Sequence, residues 1–203
     1  VSVVVQPGVD FSHTAVTQYS KSSAKKLVDQ LSKYKDIAFE AHSTDYQQTA
    51  GLANLVEDHH LFLKVGPELT FALREALFLL AKIEDELFQD KASNLIQVVF
   101  KTMDNNPKDW INYYHGSSDE QQFLKHYSYS DRIRYYWDHP DVNSAINKMI
   151  KNLDIVDIPE FVISQFFGIA TNEQNNETAR SLIKSRIQYV VGRYYNACGL
   201  VRW

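Results

Sequence analysis

The sequence predicts an α/β fold in which an incomplete barrel of parallel strands is followed by helices. Three segments share one pattern: a short run of β-branched or aromatic residues leads through a polar turn into a helical segment. Strands that alternate with helices pair in parallel, because each crossover returns over a face of the sheet. The second half of the chain carries only helical periodicity. These observations predict three βα units over residues 1–90 and a helical extension packed on them over residues 91–203.

Each strand is predicted from an apolar run bounded by turn residues. The predicted strands are Val1–Gln6, Ile37–His42 and Leu61–Gly66. The helices that follow them are predicted at Ser22–Tyr34, Tyr46–Asp58 and Glu68–Phe88. The last of these helices has an apolar stripe at 3.6-residue spacing, and we expect the stripe to pack on the sheet.

Beyond the third βα unit, three stretches keep helical spacing of their apolar residues. They are Ala92–Met103, Asn143–Leu153 and Thr178–Cys198. A closed (β/α) barrel needs eight strands and about 250 residues, so we expect this chain to hold only part of one. Three parallel strands leave two unpaired edges, which another segment or another chain, such as a second copy, is expected to cover. The chain opens at Val1 without a methionine, so we expect the natural start upstream.

Composition and charge argue against several classes of protein. The formal net charge is -4 and no Lys/Arg-rich block occurs, so nucleic acid is not an expected partner. The apolar runs fall short of the ~20 residues that span a bilayer, and the first residues lack the basic start of a signal peptide. The single cysteine, Cys198, cannot form an internal disulfide. A reducing compartment, the cytoplasm, is therefore expected.

Polar side chains follow the second and third strands, at the end of a barrel where enzymes place their sites. Glu40 and Lys64 are predicted to form an interior ion pair with a structural role. Alternatively, a desolvated Lys64 could form a Schiff base with a carbonyl substrate. His42 is a candidate ligand of a divalent metal, with Glu40 or Asp45 as a second ligand, a partner that orients the histidine, or a general base.

The turns before the second and third helices are candidate phosphate sites. Gly66 ends a strand where a helix begins, and Ser43 and Thr44 precede the other helix. Free backbone N–H groups at such positions bind anions, so a sugar phosphate is a candidate ligand. Helix capping by Ser43, Thr44 or Asp45 is the alternative, and Glu68 would repel a phosphate.

Residues 127–137 combine aromatic side chains with two arginines. Stacked rings and bidentate arginine contacts are typical of protein interfaces and anion sites. Packing of the aromatic side chains between the helices and the barrel is the alternative interpretation.

A family resemblance rests on four long segments and two short ones. They are Val3–Phe11, Glu40–Tyr46, Leu63–Ala76, Ser128–Trp137, Asp157–Pro159 and Ala197–Gly199. A chain with these motifs in this order resembles the accessory subunit of tagatose-1,6-bisphosphate aldolase, the GatZ/KbaZ family. The members of that family are longer, so the resemblance implies that N-terminal barrel strands are absent from this sequence.

The resemblance implies a class II aldolase-type (β/α)8 barrel and a non-catalytic role. The expected partner is the catalytic aldolase subunit, which the chain would stabilise and support in galactitol or N-acetylgalactosamine breakdown. Catalytic relatives bind zinc through histidines, and His42 corresponds to one of them. The strand end Gln6-Pro7-Gly8 has no histidine where those relatives have another, and His13 lies a few residues later.

Three other activities are alternatives to the accessory role. The chain could itself be a metal-dependent ketose-bisphosphate aldolase, or a sugar-phosphate sensor or scaffold without chemistry. The family has also been labelled a tagatose-6-phosphate kinase. The sequence contains neither a Walker-type loop nor another glycine-rich phosphate cradle, which argues against that label.

Overall fold

The computed structural model describes residues 1–31, 33–34, 36–168 and 178–200. Within these residues the chain forms two compact units. The first unit comprises residues 1–70, 127–130 and 188–200, and the second comprises residues 71–126, 131–168 and 178–187. Residues 169–177 of the predicted helical extension lie outside the described residues.

Strands and helices alternate in the first part of the chain, and helices make up the described remainder, as predicted. The strands are β1 (Ser2–Val5), β2 (Asp10–Phe11), β3 (Val16–Thr17), β4 (Ala38–Ala41) and β5 (His60–Leu63). The helices are α1 (Lys21–Leu31), α2 (Thr49–Glu57), α3 (Pro67–Phe88), α4 (Leu95–Asn105), α5 (Ser118–Tyr127), α6 (Pro140–Leu153), α7 (Glu160–Phe167) and α8 (Ala179–Ala197). Helices α5 and α7 are not predicted by the sequence pattern, because α5 is mostly polar and α7 is apolar on most sides.

A parallel sheet forms the centre of the first unit. Within the described residues it has three strands in the order β1-β4-β5, and it does not close into a barrel. Both pairs of neighbours are parallel, which confirms the predicted α/β architecture.

The two faces of this sheet differ in exposure. Val4 pairs with Glu40 and Glu40 pairs with Phe62, so these side chains share one face. Val4 is 54% exposed and Phe62 is 55% exposed, which leaves this face open in the described structure. On the opposite face, Phe39 and Ala41 of the central strand are buried, whereas Val3 of the edge strand β1 is 44% exposed. Glu40 therefore lies on the open face of the sheet.

The loop between β4 and α2 replaces the first turn of a predicted helix. The sequence predicts a helix from Tyr46, whereas α2 begins at Thr49. The positive φ angles of Ser43 (57°) and Tyr46 (61°) prevent helical continuation. The Gln47 side chain instead accepts a hydrogen bond from the Tyr19 amide and donates one to the Thr17 carbonyl. These bonds hold the loop against the short hairpin.

The hairpin formed by β2 and β3 is likewise not predicted by the sequence pattern. The two strands pair antiparallel over two residues each, too short to show an alternating pattern. The Ser12 hydroxyl accepts hydrogen bonds from the amides of Thr14 and Ala15, which stabilises the turn. The Tyr129 amide donates to the His13 carbonyl, so residues 127–130 are bound to the hairpin.

The second unit is a helical assembly around a continuous apolar core. The predicted stripes of α3 and α6 supply much of it, as do α4 and the first turns of α8. Its buried residues include Leu77, Leu80, Ile83, Leu95, Val99, Met103, Ile133, Met149, Leu153 and Leu182. Pro140 stands at the start of α6, three residues before the predicted start of that helix at Asn143. Inside the unit, Arg74 and Asp131 form a buried ion pair at 3.0 Å.

In the part of the chain that the structure describes, none of the helices has the length and apolar character required to cross a membrane.

Candidate functional site at the carboxyl edge of the sheet

Polar side chains gather beyond the carboxyl ends of β4 and β5, inside the first unit. Parallel strands end at the same edge of a sheet, so the segments that follow them are brought together. The Lys64 amide donates to the Ala41 carbonyl at 2.9 Å. The Thr44 hydroxyl donates to the Lys64 carbonyl at 3.0 Å. The loop after β4 and the turn after β5 are therefore joined directly, and most of the predicted site residues lie on them.

Asp45 occupies the N-terminus of α3. Its Oδ1 accepts hydrogen bonds from the amides of Gly66 (2.8 Å) and Glu68 (2.9 Å). These are amides that a helix start leaves without a backbone partner, and they carry the positive end of the helix dipole. Asp45 is only 2% exposed. Its carboxylate therefore takes the position in which a bound anion would meet the helix.

The environment of Asp45 alters its ionisation. Burial raises the pKa of the Asp45 carboxyl, and the negative charge of Glu68 adds to this. The hydrogen bonds from the Glu68 and Gly66 amides act in the opposite direction, because they favour the ionised form. The net direction is upward, so protonation of Asp45 is easier in the folded chain than in an exposed aspartate.

Glu68 forms the second buried carboxylate of the site, and it is 4% exposed. Its Oε1 lies 2.8 Å from Arg193 Nη1. Its Oε2 accepts from the Tyr46 amide at 2.8 Å and lies 2.7 Å from the Tyr194 hydroxyl. Both oxygens are therefore engaged by groups of the chain itself.

Arg193 and Tyr194, from the last turns of α8, connect this carboxylate to the loop after β4. Arg193 also donates to the Gln47 carbonyl. The Tyr194 hydroxyl lies 2.9 Å from the Thr44 carbonyl oxygen. Burial raises the pKa of Tyr194, and the charge of Glu68 raises it further. This hydroxyl therefore stays protonated at neutral pH and acts as a donor.

No sequence pattern identifies Arg193 or Tyr194 as part of the site. They are separated from Glu68 by 125 and 126 positions, and no strand leads to them. One indirect signal was available: a buried glutamate at a helix start requires a cation, and α8 supplies arginines.

Glu40 and His42 form a hydrogen-bonded pair on the open side of the sheet. The distance from Glu40 Oε1 to His42 Nε2 is 3.0 Å, and both side chains are partly buried. The predicted Glu40–Lys64 ion pair is wrong, since Glu40 instead contacts His42, which lies directly after the end of β4. Among the residues that the structure describes, Lys64 has no carboxylate in salt-bridge contact. Lys64 is exposed, so the desolvation that a Schiff-base lysine needs is not provided here.

The described residues do not fit a zinc site around His42. Zinc requires three or four nitrogen, sulfur or oxygen ligands arranged as a tetrahedron. Within the described ranges, no group of three or more His, Cys, Asp or Glu side chains converges in this way. Asp45 is turned toward α3, and His13 Nδ1 lies 3.1 Å from the hydroxyls of both Ser128 and Ser130.

Residues 127–137 include both buried and exposed aromatic side chains. Tyr46 donates through its hydroxyl to the Tyr129 carbonyl at 2.7 Å inside the first unit. Tyr136 is buried in the second unit, where its hydroxyl donates to the Asn106 carbonyl at 2.5 Å. Tyr135, by contrast, lies on the surface of the second unit beside Arg132 and Arg134.

Comparisons with known proteins agree with the family resemblance. A family model described as D-tagatose-1,6-bisphosphate aldolase subunit GatZ/KbaZ-like matches residues 1–199. The crystal structure of a probable tagatose 6 phosphate kinase from Sinorhizobium meliloti 1021 is 43% identical in sequence, with a TM-score of 0.93. The similarity covers 98% of this chain and 52% of that chain, so this chain spans about half the length of its relative. The chain therefore belongs to the GatZ/KbaZ-like family of D-tagatose-1,6-bisphosphate aldolase subunits.

Proposed function

We propose that the chain is part of an accessory subunit of tagatose-1,6-bisphosphate aldolase. The subunit binds the catalytic subunit and supports its stability and full activity in the breakdown of galactitol or N-acetylgalactosamine. Family membership indicates the class of assembly. One observation favours the accessory over the catalytic role: the chain's own Asp45 fills the anion position at the start of α3.

A substrate phosphate at this position would need the same backbone donors. Both amides, of Gly66 and Glu68, already donate to Asp45 at 2.8 and 2.9 Å. An entering phosphate would also meet two buried carboxyl groups, and like charges at short range repel strongly in a poorly solvated site. The turn after β5 is therefore suited to an internal ion network and poorly suited to a sugar bisphosphate.

The neighbouring groups serve the same network. The Thr44 hydroxyl donates to the Lys64 carbonyl, so it shapes the loop that carries Asp45. Ser43 has a positive φ angle and turns the chain away from β4. In this proposal the predicted phosphate residues Ser43, Thr44 and Gly66 stabilise the edge of the sheet and do not bind a phosphate.

We also propose that the sheet belongs to a class II aldolase-type (β/α)8 barrel, with three βα units in residues 1–90 and a helical extension in residues 91–203. Parallel sheets are almost always covered on both faces. Here Val4 and Phe62 are more than half exposed on the same face. Further strands would bury this face and pair the two edges.

Co-purification followed by activity measurements tests the accessory role. The chain and a catalytic tagatose-bisphosphate aldolase subunit are assayed for aldol cleavage separately and together. We expect no turnover by the chain alone, and a longer half-life and higher rate for the catalytic subunit when the chain is present. Turnover by the isolated chain, or a catalytic subunit that neither binds the chain nor responds to it, would contradict the proposal.

A ketose-bisphosphate aldolase acting by itself is the second candidate. The Glu40–His42 hydrogen bond favours it, because a carboxylate that orients a histidine is a common feature of catalytic sites. The assay of the chain alone, repeated with added zinc and with His42→Ala, decides between the two. Activity that requires both zinc and His42 would establish the aldolase.

The kinase label of the Sinorhizobium meliloti protein is not extended to this chain. The turn that meets the start of α3 contains one glycine, Gly66, and its amide is bonded to Asp45. A nucleotide phosphate cradle uses several consecutive free amides.

A further inference from the structure

An exposed stack of tyrosine and arginine side chains lies on the second unit. We call Tyr113, Arg132, Tyr135 and Arg134 the tyrosine–arginine ladder. The guanidinium carbon of Arg132 lies 3.5 Å from the centre of the Tyr113 ring and 4.9 Å from that of Tyr135. That of Arg134 lies 4.6 Å from the Tyr135 ring centre, and its Nη2 donates to the Tyr135 hydroxyl at 2.9 Å.

The chain holds Arg132 in place through its backbone as well as through the rings. Arg132 Nε donates to the Asp109 carbonyl at 2.5 Å, and the Arg132 amide donates to the Tyr114 hydroxyl at 3.2 Å. Tyr114 and Ile133, which flank this arrangement, are buried in the core of the unit. The guanidinium plane is therefore oriented before any partner arrives, so little side-chain entropy is lost on binding.

Arg132 differs from the arginines that have structural ion pairs. Arg74 pairs with Asp131 and Arg186 pairs with Glu75. In the described part of the chain, Arg132 has no carboxylate in salt-bridge contact. Its aromatic neighbours are also open to solvent, since Tyr113 is 46% and Tyr135 is 49% exposed.

We infer that the tyrosine–arginine ladder is the surface on which the catalytic aldolase subunit docks, through one of its carboxylates. The inference rests on the proposed function. A guanidinium held by its Nε can still present its two Nη groups to a carboxylate. Tyrosine and arginine are the residue types enriched at binding hot spots. The partner surface is expected to carry an Asp or Glu beside an apolar side chain that packs on the exposed rings.

A second copy of the chain is the other occupant to consider. Its net charge of -4 repels an identical chain at long range, whereas a cationic ladder attracts an acidic patch of a different protein. The test therefore includes a measurement of self-association.

Titration calorimetry of the full chain against the purified catalytic subunit, at low and high salt, tests the inference. The variants are Arg132→Gln, Arg132→Lys and Tyr135→Ser, and Lys151→Gln is a control that removes the same charge from an exposed position of α6. We expect Arg132→Gln to raise the Kd about 30-fold, equivalent to about 2 kcal/mol, and to weaken its salt dependence. Arg132→Lys keeps the charge but loses the planar fork, so it should still bind less tightly than the parent. Lys151→Gln should bind like the parent.

The outcomes separate this inference from the proposed function. A parent chain that does not bind the catalytic subunit overturns both. A parent chain that binds, together with folded Arg132→Gln and Tyr135→Ser variants that bind equally well, overturns the docking surface alone. If Arg132→Gln melts early, Tyr135→Ser decides, because that side chain is half exposed. If the parent self-associates in gel filtration and the Arg132→Gln and Tyr135→Ser variants do not, while all three bind the catalytic subunit equally, the ladder contacts a second copy. That result would refute docking of the catalytic subunit on the ladder.

Discussion

Replacing Asp45 with alanine tests whether this carboxylate acts as the internal anion of α3. The substitution removes the acceptor of two amide hydrogen bonds, from Gly66 and Glu68. Each hydrogen bond to a charged group contributes about 1.5–3 kcal/mol. Part of this loss is offset, because the substitution also removes the repulsion between Asp45 and Glu68. We expect a net loss of about 3 kcal/mol, which lowers the Tm by about 6–12 °C for a chain of this size.

Chemical rescue by formate provides the sharper measurement. The alanine variant leaves a space at the helix start, and formate carries the carboxylate that has been lost. An anion that binds only the folded state at about ten times its Kd stabilises that state by about 1.4 kcal/mol. Melting curves with formate, against chloride at equal ionic strength, should therefore show recovery in Asp45→Ala. The parent chain and Asp45→Asn, which keeps an acceptor oxygen in place, should show none.

Two results would refute this reasoning. If Asp45→Ala lost less than about 1 kcal/mol, the two hydrogen bonds would contribute little, and the helix start could accept a ligand at no great cost. If formate stabilised the parent chain as much as the variant, the anion site would lie elsewhere on the chain.

Three further predictions concern pH, ion pairing and the open face. Because the pKa of Asp45 is raised in the folded chain, the free energy of unfolding of the parent should fall as pH rises from the ordinary aspartate value of 3.8 toward the folded value. Over that range the stability of Asp45→Asn relative to the parent should therefore increase with pH. Urea unfolding across a pH series measures this difference. Arg193→Met should cost about 3 kcal/mol in urea unfolding, because it leaves a carboxylate buried, whereas Arg186→Met, from a pair about one-third exposed, should cost under about 1 kcal/mol; equal losses would contradict this. In a cysteine-free background, Phe62→Cys should react rapidly with a thiol reagent and Ala41→Cys slowly; similar rates would show that the sheet has no open face.

The strands could be predicted from local pattern, and the pattern also brought the right segments together. Short runs rich in β-branched or aromatic residues, such as those that contain Val3-Val4-Val5 and Phe39, favour strands, and parallel pairing follows from the helices between them. Because parallel strands end at one edge, the proximity of Thr44, Asp45 and Gly66 could be anticipated before any coordinates. Local sequence was enough for this much of the site.

The partners of those residues could not be predicted in the same way. The strand pattern favours a pair between Glu40 and Lys64 on neighbouring strands, yet Glu40 bonds His42, two positions further along the chain. Arg193 reaches Glu68 from a helix whose position depends on the packing of the whole unit. Pairings over such separations are decided by tertiary structure, and local hydrophobic periodicity in the sequence does not predict them.

The contribution of α8 to the edge of the sheet also affects the order of assembly. Arg193 and Tyr194 are made long after Glu68 leaves the ribosome, and contacts between distant positions form slowly. Until α8 has been synthesised, Glu68 of the nascent βα units lacks its ion-pair partner Arg193. We therefore expect the loop after β4 to become ordered last during synthesis, which would make the start of α3 a place where chaperones or proteases engage the incomplete chain.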